Sequence, residues 1–287
     1  MSTVTAAAFP AWRGELALDF ERRADRTVLA RRHHTGPLLV QKPLYPEGDE
    51  VCHAIVLHPP AGVAGGDVLD LRVACGPDAH VLLTTPGATR WYRSLGAPSS
   101  QRVGIDVAAD GCVEWLPQEN IVFSGALAQS ALDVHLGPRA SFIGWDILCL
   151  GRRGSGERFD AGFWRVDNRL HAGDRLCWTE AGRIDGGSTG LAARPVLAGA
   201  SVTATFMAFA PHLAPTVLAP LRLAAQAVAA EHCRAGRAAV SLLPGLLIGR
   251  YMGDSSEAAR RFCVALWQHA RPVFGGRDAR EPRIWKT

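Results

Sequence analysis

Gly144–Phe159 reads GWDILCLGRRGSGERF, an apolar run that breaks off into glycine and arginine. Trp145, Ile147, Leu148 and Leu150 mark a buried strand, into which one carboxylate, Asp146, and one thiol, Cys149, are set. The glycines that follow let the chain turn sharply. A lone carboxylate is costly to bury, so Asp146 needs a partner or a task. The plainest partner is Arg152 or Arg153.

Short strands and glycine turns recur on both sides of this stretch. Leu16, Leu18 and Phe20 alternate with Ala17, Asp19 and Glu21, the period of a half-buried strand. Thr27–Ala30 and Leu38–Gln41 read as short strands separated by a turn at His33–Pro37. Cys52–Leu57, Val68–Ala74, His80–Thr85, Cys112–Leu116 and Ser130–Leu136 continue the series, with Glu114 on the face opposite Val113 and Trp115. Further on, Trp164, Val166 and Leu170 alternate with Arg165, Asp167 and Arg169, and Leu176 and Trp178 lead to Glu180. No long helical pattern occurs before about Thr205. Strands at this spacing predict a mainly β body of sandwich, barrel or stacked-strand type.

The last third changes period. Leu221, Ala224, Ala225, Val228 and Ala229 recur at helical spacing, with Gly236 as the stop. Val240–Leu243 and Leu246–Tyr251 read as strands joined by Pro244-Gly245. Asp254-Ser255-Ser256-Glu257 is a capping box with the Asp254 oxygen as the cap. The helix it opens carries Ala258, Phe262, Ala265 and Leu266 on one face and ends at Arg271-Pro272. One domain is expected, with a β body over about 12–210 and a helix-containing part over about 211–287.

Composition narrows the function classes. The formal charge is +4 and the arginines are dispersed, so no basic block points to nucleic acid. The seven cysteines form no C-x-x-C pair, which disfavours a zinc ribbon or a disulfide framework and fits reduced thiols in a cytosol. The N-terminus lacks a basic segment followed by an apolar one, and no apolar run of about 18 residues occurs. A cytoplasmic protein with no membrane span is therefore expected.

Two further stretches bear side chains of functional type. His58–Asp67, HPPAGVAGGD, is a loop by its proline and glycine content and lacks the Lys-Ser/Thr ending of a phosphate-binding loop. His58 and Asp67 at its edges are both of a type that ligates metals; the plainer role for Asp67 is to accept hydrogen bonds from backbone amides. Arg90-Trp91-Tyr92-Arg93 alternates guanidiniums around aromatics, which suits ligand stacking, a partner anchor or an edge strand. The adjacent His33 and His34 read as surface residues.

Taken in order, these stretches resemble the UreD (UreH) family of urease accessory proteins. The resemblance rests on Gly36-Pro37 with Gln41-Lys42-Pro43, on His58–Asp67, on Thr84–Ser94, on Glu114–Glu119, on Gly144–Phe159 and on the C-terminal Pro282–Thr287. Ala61 stands where the family usually has glycine, and Arg90 where lysine is common; alanine is tolerable only if its φ is not positive. The resemblance implies a mainly β fold with strands stacked in a helicoid-like body and a pair of helices. It implies a non-enzymatic scaffold that joins apo-urease to UreF and the GTPase UreG and assists nickel insertion, with a dimeric accessory complex as one arrangement. No tightly bound cofactor is implied, only Ni(II) in transit. An acidic passage would fall on Asp67, Asp146 and Glu180, with His58 as a neighbouring donor. Glu114, Glu157 and the Arg90–Arg93 segment would serve partner binding or structure. The competing reading is a β-rich carbohydrate hydrolase or lyase using two of Glu114, Asp146 and Glu157 as acid and base. Nickel storage is disfavoured by the dispersed Cys and His.

Overall fold

The computed structural model describes residues 11–211, 213–232 and 237–286. An antiparallel pair, β1 (Arg13–Arg23) and β2 (Arg26–Thr35), is followed by the short β3 (Leu39–Val40). The chain then winds in coils, each made of a strand, a corner, a two- or three-residue strand and a crossing to a second sheet. The first coil is β4 (Val51–Leu57), β5 (Gly62–Val63) and β6 (Val68–Cys75). The second is β7 (His80–Thr84), β8 (Thr89–Trp91) and β9 (Ser99–Val107). The third is β10 (Cys112–Leu116), β11 (Asn120–Val122) and β12 (Leu127–Leu136). In the next turn one long strand, β13 (Ser141–Leu150), pairs with both β10 and β11, and β14 (Phe163–Ala172) completes the turn. β15 (Arg175–Asp185), β16 (Val202–Phe209), α1 (Leu218–His232), β17 (Arg237–Leu243), β18 (Leu246–Gly253) and α2 (Ser256–Phe274) follow.

The result is two sheets and a helical layer. One sheet runs β15-β14-β12-β9-β6-β1-β2; the other runs β17-β18-β16-β13-β10-β7-β4-β3. Val51, His80, Cys112 and Ser141 stand in register on successive parallel strands, as in a β-solenoid. The fold is thus mainly β, with stacked strands and two helices near the C-terminus.

Burial explains the sequence pattern. The first sheet packs on the second through one face only, so β1 alternates between buried Leu16, Leu18 and Phe20 and more exposed neighbours. The second sheet is covered on both faces, and β4, β7, β10 and β13 are apolar almost throughout. Its inner face joins the core between the sheets through Phe142, Leu148 and Leu150. Its outer face packs Ile143, Trp145 and Ile147 against Phe262, Leu266 and Trp267 of α2. The C-terminal segment is laid over the same face, where the Trp285 indole donates to the Thr84 hydroxyl at 2.8 Å and rests on Trp145 and Trp267.

Four local expectations are revised. β2 extends through His33 and His34 to Thr35, because β1 pairs with it along that whole length. Gly62–Val63 forms a strand within the expected loop. The cap of α2 is Ser255, whose side chain accepts from the Ala258 amide, while Asp254 accepts from the amide and hydroxyl of Ser201. α2 also runs past Pro272 to Phe274, because buried Phe274 holds the last turn down and the Gly275 amide closes on the Arg271 carbonyl. Gly236, the expected stop of α1, lies outside the described residues.

Candidate functional site: the cavity between the sheets

The coil corners stack on one another. His58–Ala61, Thr85–Thr89 and Pro117–Asn120 lie against the first sheet and leave a cavity of about 170 Å³ between them, room for a few water molecules. Leu69, Leu71, Val103 and Leu132 form its apolar wall, while His58, Thr89, Gln101, Asn120, Asp146 and Asn168 contribute polar groups.

Asp146 occupies a place the fold makes for it. β13 pairs with β10 up to Gly144 and with β11 from Leu148, so Asp146 falls where the corner between those two strands leaves the ladder. Alternation turns it to the same inner face as Phe142 and Leu148. The expected ion pair is absent: Arg152 pairs with Glu157 at 3.0 Å and Arg153 with Asp254 at 3.6 Å. Asp146 instead accepts a hydrogen bond from the Asn120 side-chain amide at 2.9 Å. That amide is oriented from behind, since its oxygen accepts from the Trp91 indole at 3.0 Å. Burial pushes the Asp146 carboxyl up to about 6, with Asn120 opposing and the charge of Glu180 adding to the rise.

Glu180 lies outside the cavity lining, beyond Thr205 and Arg250. Asp146, Thr205 and Arg250 are cross-strand neighbours on β13, β16 and β18. Arg250 reaches the Glu180 carboxylate of the first sheet and donates to the Thr205 hydroxyl at 2.7 Å. Glu180 and Arg250 are partly exposed, so this polar row runs from the cavity side to solvent.

His58 also lines the cavity, and its Nε2 is buried with no hydrogen-bond partner among the described residues. Burial holds its imidazole below the usual pKa, against the pull of Asp67, so the ring is neutral at pH 7. Asp67 itself accepts from the backbone amides of Trp12 and Ala64, both at 2.8 Å, and so ties the loop to β1. The structure thus brings His58 and Asp146 to one cavity, has Asp67 hold the loop backbone, and leaves Glu180 outside the cavity lining but close enough to Asp146 for its charge to act on it. Among the described residues, no three His, Cys, Asp or Glu side chains surround a point that would hold a metal ion.

The profile of the family described as UreD urease accessory protein matches residues 13–286. The chain is 49% identical over 284 residues to a urease accessory protein UreD of Azoarcus sp. (strain BH72), covering 98% of this chain and 96% of that one. It is 47% identical over 278 residues to that of Dechloromonas aromatica (97% and 96% covered) and 43% identical over 294 residues to that of Methylobacillus flagellatus (100% and 99% covered). The chain belongs to the UreD family of urease accessory proteins.

The remaining motif residues of this UreD-family chain take separate places. Trp91 is wholly buried against Trp164, edge to face at 5.4 Å, and belongs to the core. Tyr92 packs on Phe123 and crosses Gly62 so closely that a Cβ there would lie 2.1 Å from its ring. Arg90 and Arg93 are exposed. Glu157 closes the glycine turn by pairing with Arg152 on the surface. Glu114 faces the opposite way from Asp146, toward α2, and is fully buried. The three carboxylates of the hydrolase reading therefore share no cleft, and that reading loses its acid–base pair. No helix is long and apolar enough to cross a membrane among the described residues.

Glu114 is the centre of a buried network whose other members the sequence did not reveal. It receives the Arg271 Nε at 3.0 Å and the Trp267 indole, and its Oε1 lies 2.7 Å from His80 Nε2. Arg271, with no exposed surface, also donates to both oxygens of Glu47, at 2.6 and 2.8 Å, and to the Asp278 carbonyl. His53 joins through Glu47 at 2.6 Å. Burial alone would raise both carboxyls, yet His80 and Arg271 hold Glu114 below the usual range, and His53 and Arg271 hold Glu47 at about 2. One signal was readable: Arg271 falls four residues after Trp267 and three before Phe274, in the buried stripe of α2.

Proposed function

We propose that this chain is a maturation scaffold that joins apo-urease to UreF and the GTPase UreG, and that Ni(II) crosses it between the sheets, from the His58 side past Asp146 to Glu180. The observation that carries the reading is Asp146. It is an ionisable carboxylate kept in a cavity at an electrostatic cost, with a neutral amide as partner and, among the described residues, no cation paired to it. A structural carboxylate at that position would be expected to pair with a guanidinium.

The donors along the route suit cargo better than storage. A single carboxylate and a neutral imidazole, spaced apart, bind a divalent ion weakly and release it, whereas a closed Cys/His cage would retain it. Water in the cavity supplies the remaining ligands at each stage. Asn120 keeps the Asp146 carboxylate aimed inward, and the Glu180–Arg250 pair places a screened negative charge beyond the cavity lining.

The test is co-expression of apo-urease and its accessory proteins with wild-type chain, with Asp146→Ala or with Glu180→Ala, reading complex assembly by pull-down and nickel per urease active site by metal analysis. Assembly unchanged with nickel content reduced at least fivefold is the expected result for Asp146→Ala. Normal nickel loading in both variants would leave the scaffold role and remove the passage. Normal loading after deletion of the whole chain would remove the maturation role itself.

A further inference from the structure

The outer face of the first sheet carries a group of donors that the cavity does not use. β9, β12 and β14 lie side by side there, parallel and in register, so Asp106, His135 and His171 fall in one cross-strand row. Val134, Leu136 and Leu170 are buried in the core, and alternation turns His135 and His171 away from it. The two imidazoles stack, with centroids 4.8 Å apart and planes 14° from parallel. Asp133 shares this face two residues before His135, and its Oδ1 lies 3.2 Å from His135 Nε2 and 4.0 Å from His171 Nε2.

That oxygen is what points to a ligand. Asp133 Oδ1 is shut off from solvent and has no hydrogen-bond partner among the described residues, although the rest of the side chain is partly exposed. A carboxylate oxygen left buried and unpaired is costly. Arg169 stands opposite it on β14 but directs its guanidinium to Asp167 at 3.0 Å, and on the β9 side its neighbour is Gly104, which has no side chain. A cation shared with the two imidazoles satisfies it. Metal–donor bonds of about 2.1 Å place two donors of one ion no more than about 4.2 Å apart, and both oxygen–nitrogen separations fall within that limit.

The donor set fixes the class of ion. Two imidazoles and one carboxylate suit the borderline divalent ions Ni(II), Cu(II) and Zn(II), whereas Mg(II) and Ca(II) favour oxygen ligands throughout. The near-parallel rings do not converge on one point, and no three-donor cluster stands preformed among the described residues. His135 is half-exposed, so a turn of its ring closes the site without moving the backbone. Asp106, exposed beside His135 and with no ion pair among the described residues, adds negative charge at the approach.

We propose that His135, His171 and Asp133 form a surface site for a borderline divalent ion, with water completing its shell. The site is separate from the passage between the sheets and does not rest on it: Leu132, next to Asp133, faces the cavity, while Asp133 and His135 lie on the opposite face of β12. Side chains this exposed hold an ion that exchanges with solvent, unlike one in a closed Cys/His cage.

The folded full-length chain is treated with diethyl pyrocarbonate at one fixed pH near neutral, alone and with increasing Ni(II), Zn(II) or Mg(II), and acylation of each histidine is followed by peptide mass spectrometry. Ni(II) and Zn(II) are expected to slow acylation of His135 and His171 at least fivefold, both with one midpoint concentration, and to leave the exposed His33 and His34 unchanged. Mg(II) should protect none of them. His135→Asn and Asp133→Asn alter partly exposed side chains, and the midpoint for His171 should rise at least tenfold in the first and at least threefold in the second. No protection of His135 and His171, equal protection of His33 and His34, or equal protection by Mg(II) overturns the proposal from the wild-type chain alone. A midpoint unchanged in either variant overturns it as well.

Discussion

Ala61 shows what a single residue costs this fold. Its φ is +59°, in the left-handed region, so the expectation that its backbone avoids positive φ is overturned. An L-residue there carries a penalty of roughly 1 kcal/mol that glycine avoids. Its side chain is exposed, so little packing would be lost on removing the methyl. Ala61→Gly should therefore stabilise the protein by about 1 kcal/mol, read as a rise in the denaturation midpoint at unchanged m-value; no change or a loss would show that the methyl packs more than its exposure implies. The sequence marked position 61 only through its departure from the family pattern. It marked Asp146 directly, as a carboxylate inside an apolar run. It did not mark Asn120, because an amide becomes a carboxylate's partner only through the register of β11 on β13, and that register is set by pairing between distant residues.

Elements with a clear period were the more legible. Most strands of five or more residues showed their burial pattern, as did the amphipathic stripe of α2, but β9 and β16, nine and eight residues long, were not singled out. β5, β8 and β11, of two or three residues, showed none, because a period cannot be expressed in so short a run. What holds α2 to the second sheet was hidden too, since Glu47 and Arg271 are 224 residues apart. The anchor makes a prediction at this scale. Glu114→Gln leaves Arg271 and His80 buried beside a neutral amide, and losing one member of a buried ion cluster costs about 3–5 kcal/mol. The pH dependence follows from two opposite shifts. Glu47, lowered from 4.5 to about 2, contributes fully above pH 4.5 and loses that contribution as pH falls toward 2. His80, raised from 6.5 to about 10, contributes fully below pH 6.5 and loses it as pH rises toward 10. Thermal unfolding should thus show the midpoint falling below pH 4.5 and again above pH 6.5, and the alkaline fall should shrink in His80→Gln. An alkaline limb of equal depth in that variant would place its origin elsewhere.

For the whole molecule, the proposed passage would set stability against delivery at the same carboxylate. Asp146 is held at about 6 against 3.8 for a free carboxyl, so the folded state binds its proton more tightly than the unfolded state does. A raised carboxyl pKa works against folding wherever the group is ionised: the penalty grows as pH rises from about 4 to 6 and is then constant. Asp146→Asn removes it, and should raise stability at pH 7 by about 1–2 kcal/mol, after discounting the shift for partial exposure of the residue. The gain should vanish near pH 4. Delivery should move in the opposite direction. Loading of apo-urease through the assembled complex, carried out between pH 5 and 7.5 and assayed afterwards at one fixed pH, should fall several-fold as Asp146 takes up its proton around pH 6. In Asp146→Asn it should be low and flat across that range. A variant that is more stable yet delivers poorly would identify Asp146 as a group kept for its charge. A variant equally stable and fully competent would make it an ordinary buried side chain, and the cavity between the sheets would then have no ionic step for nickel to use.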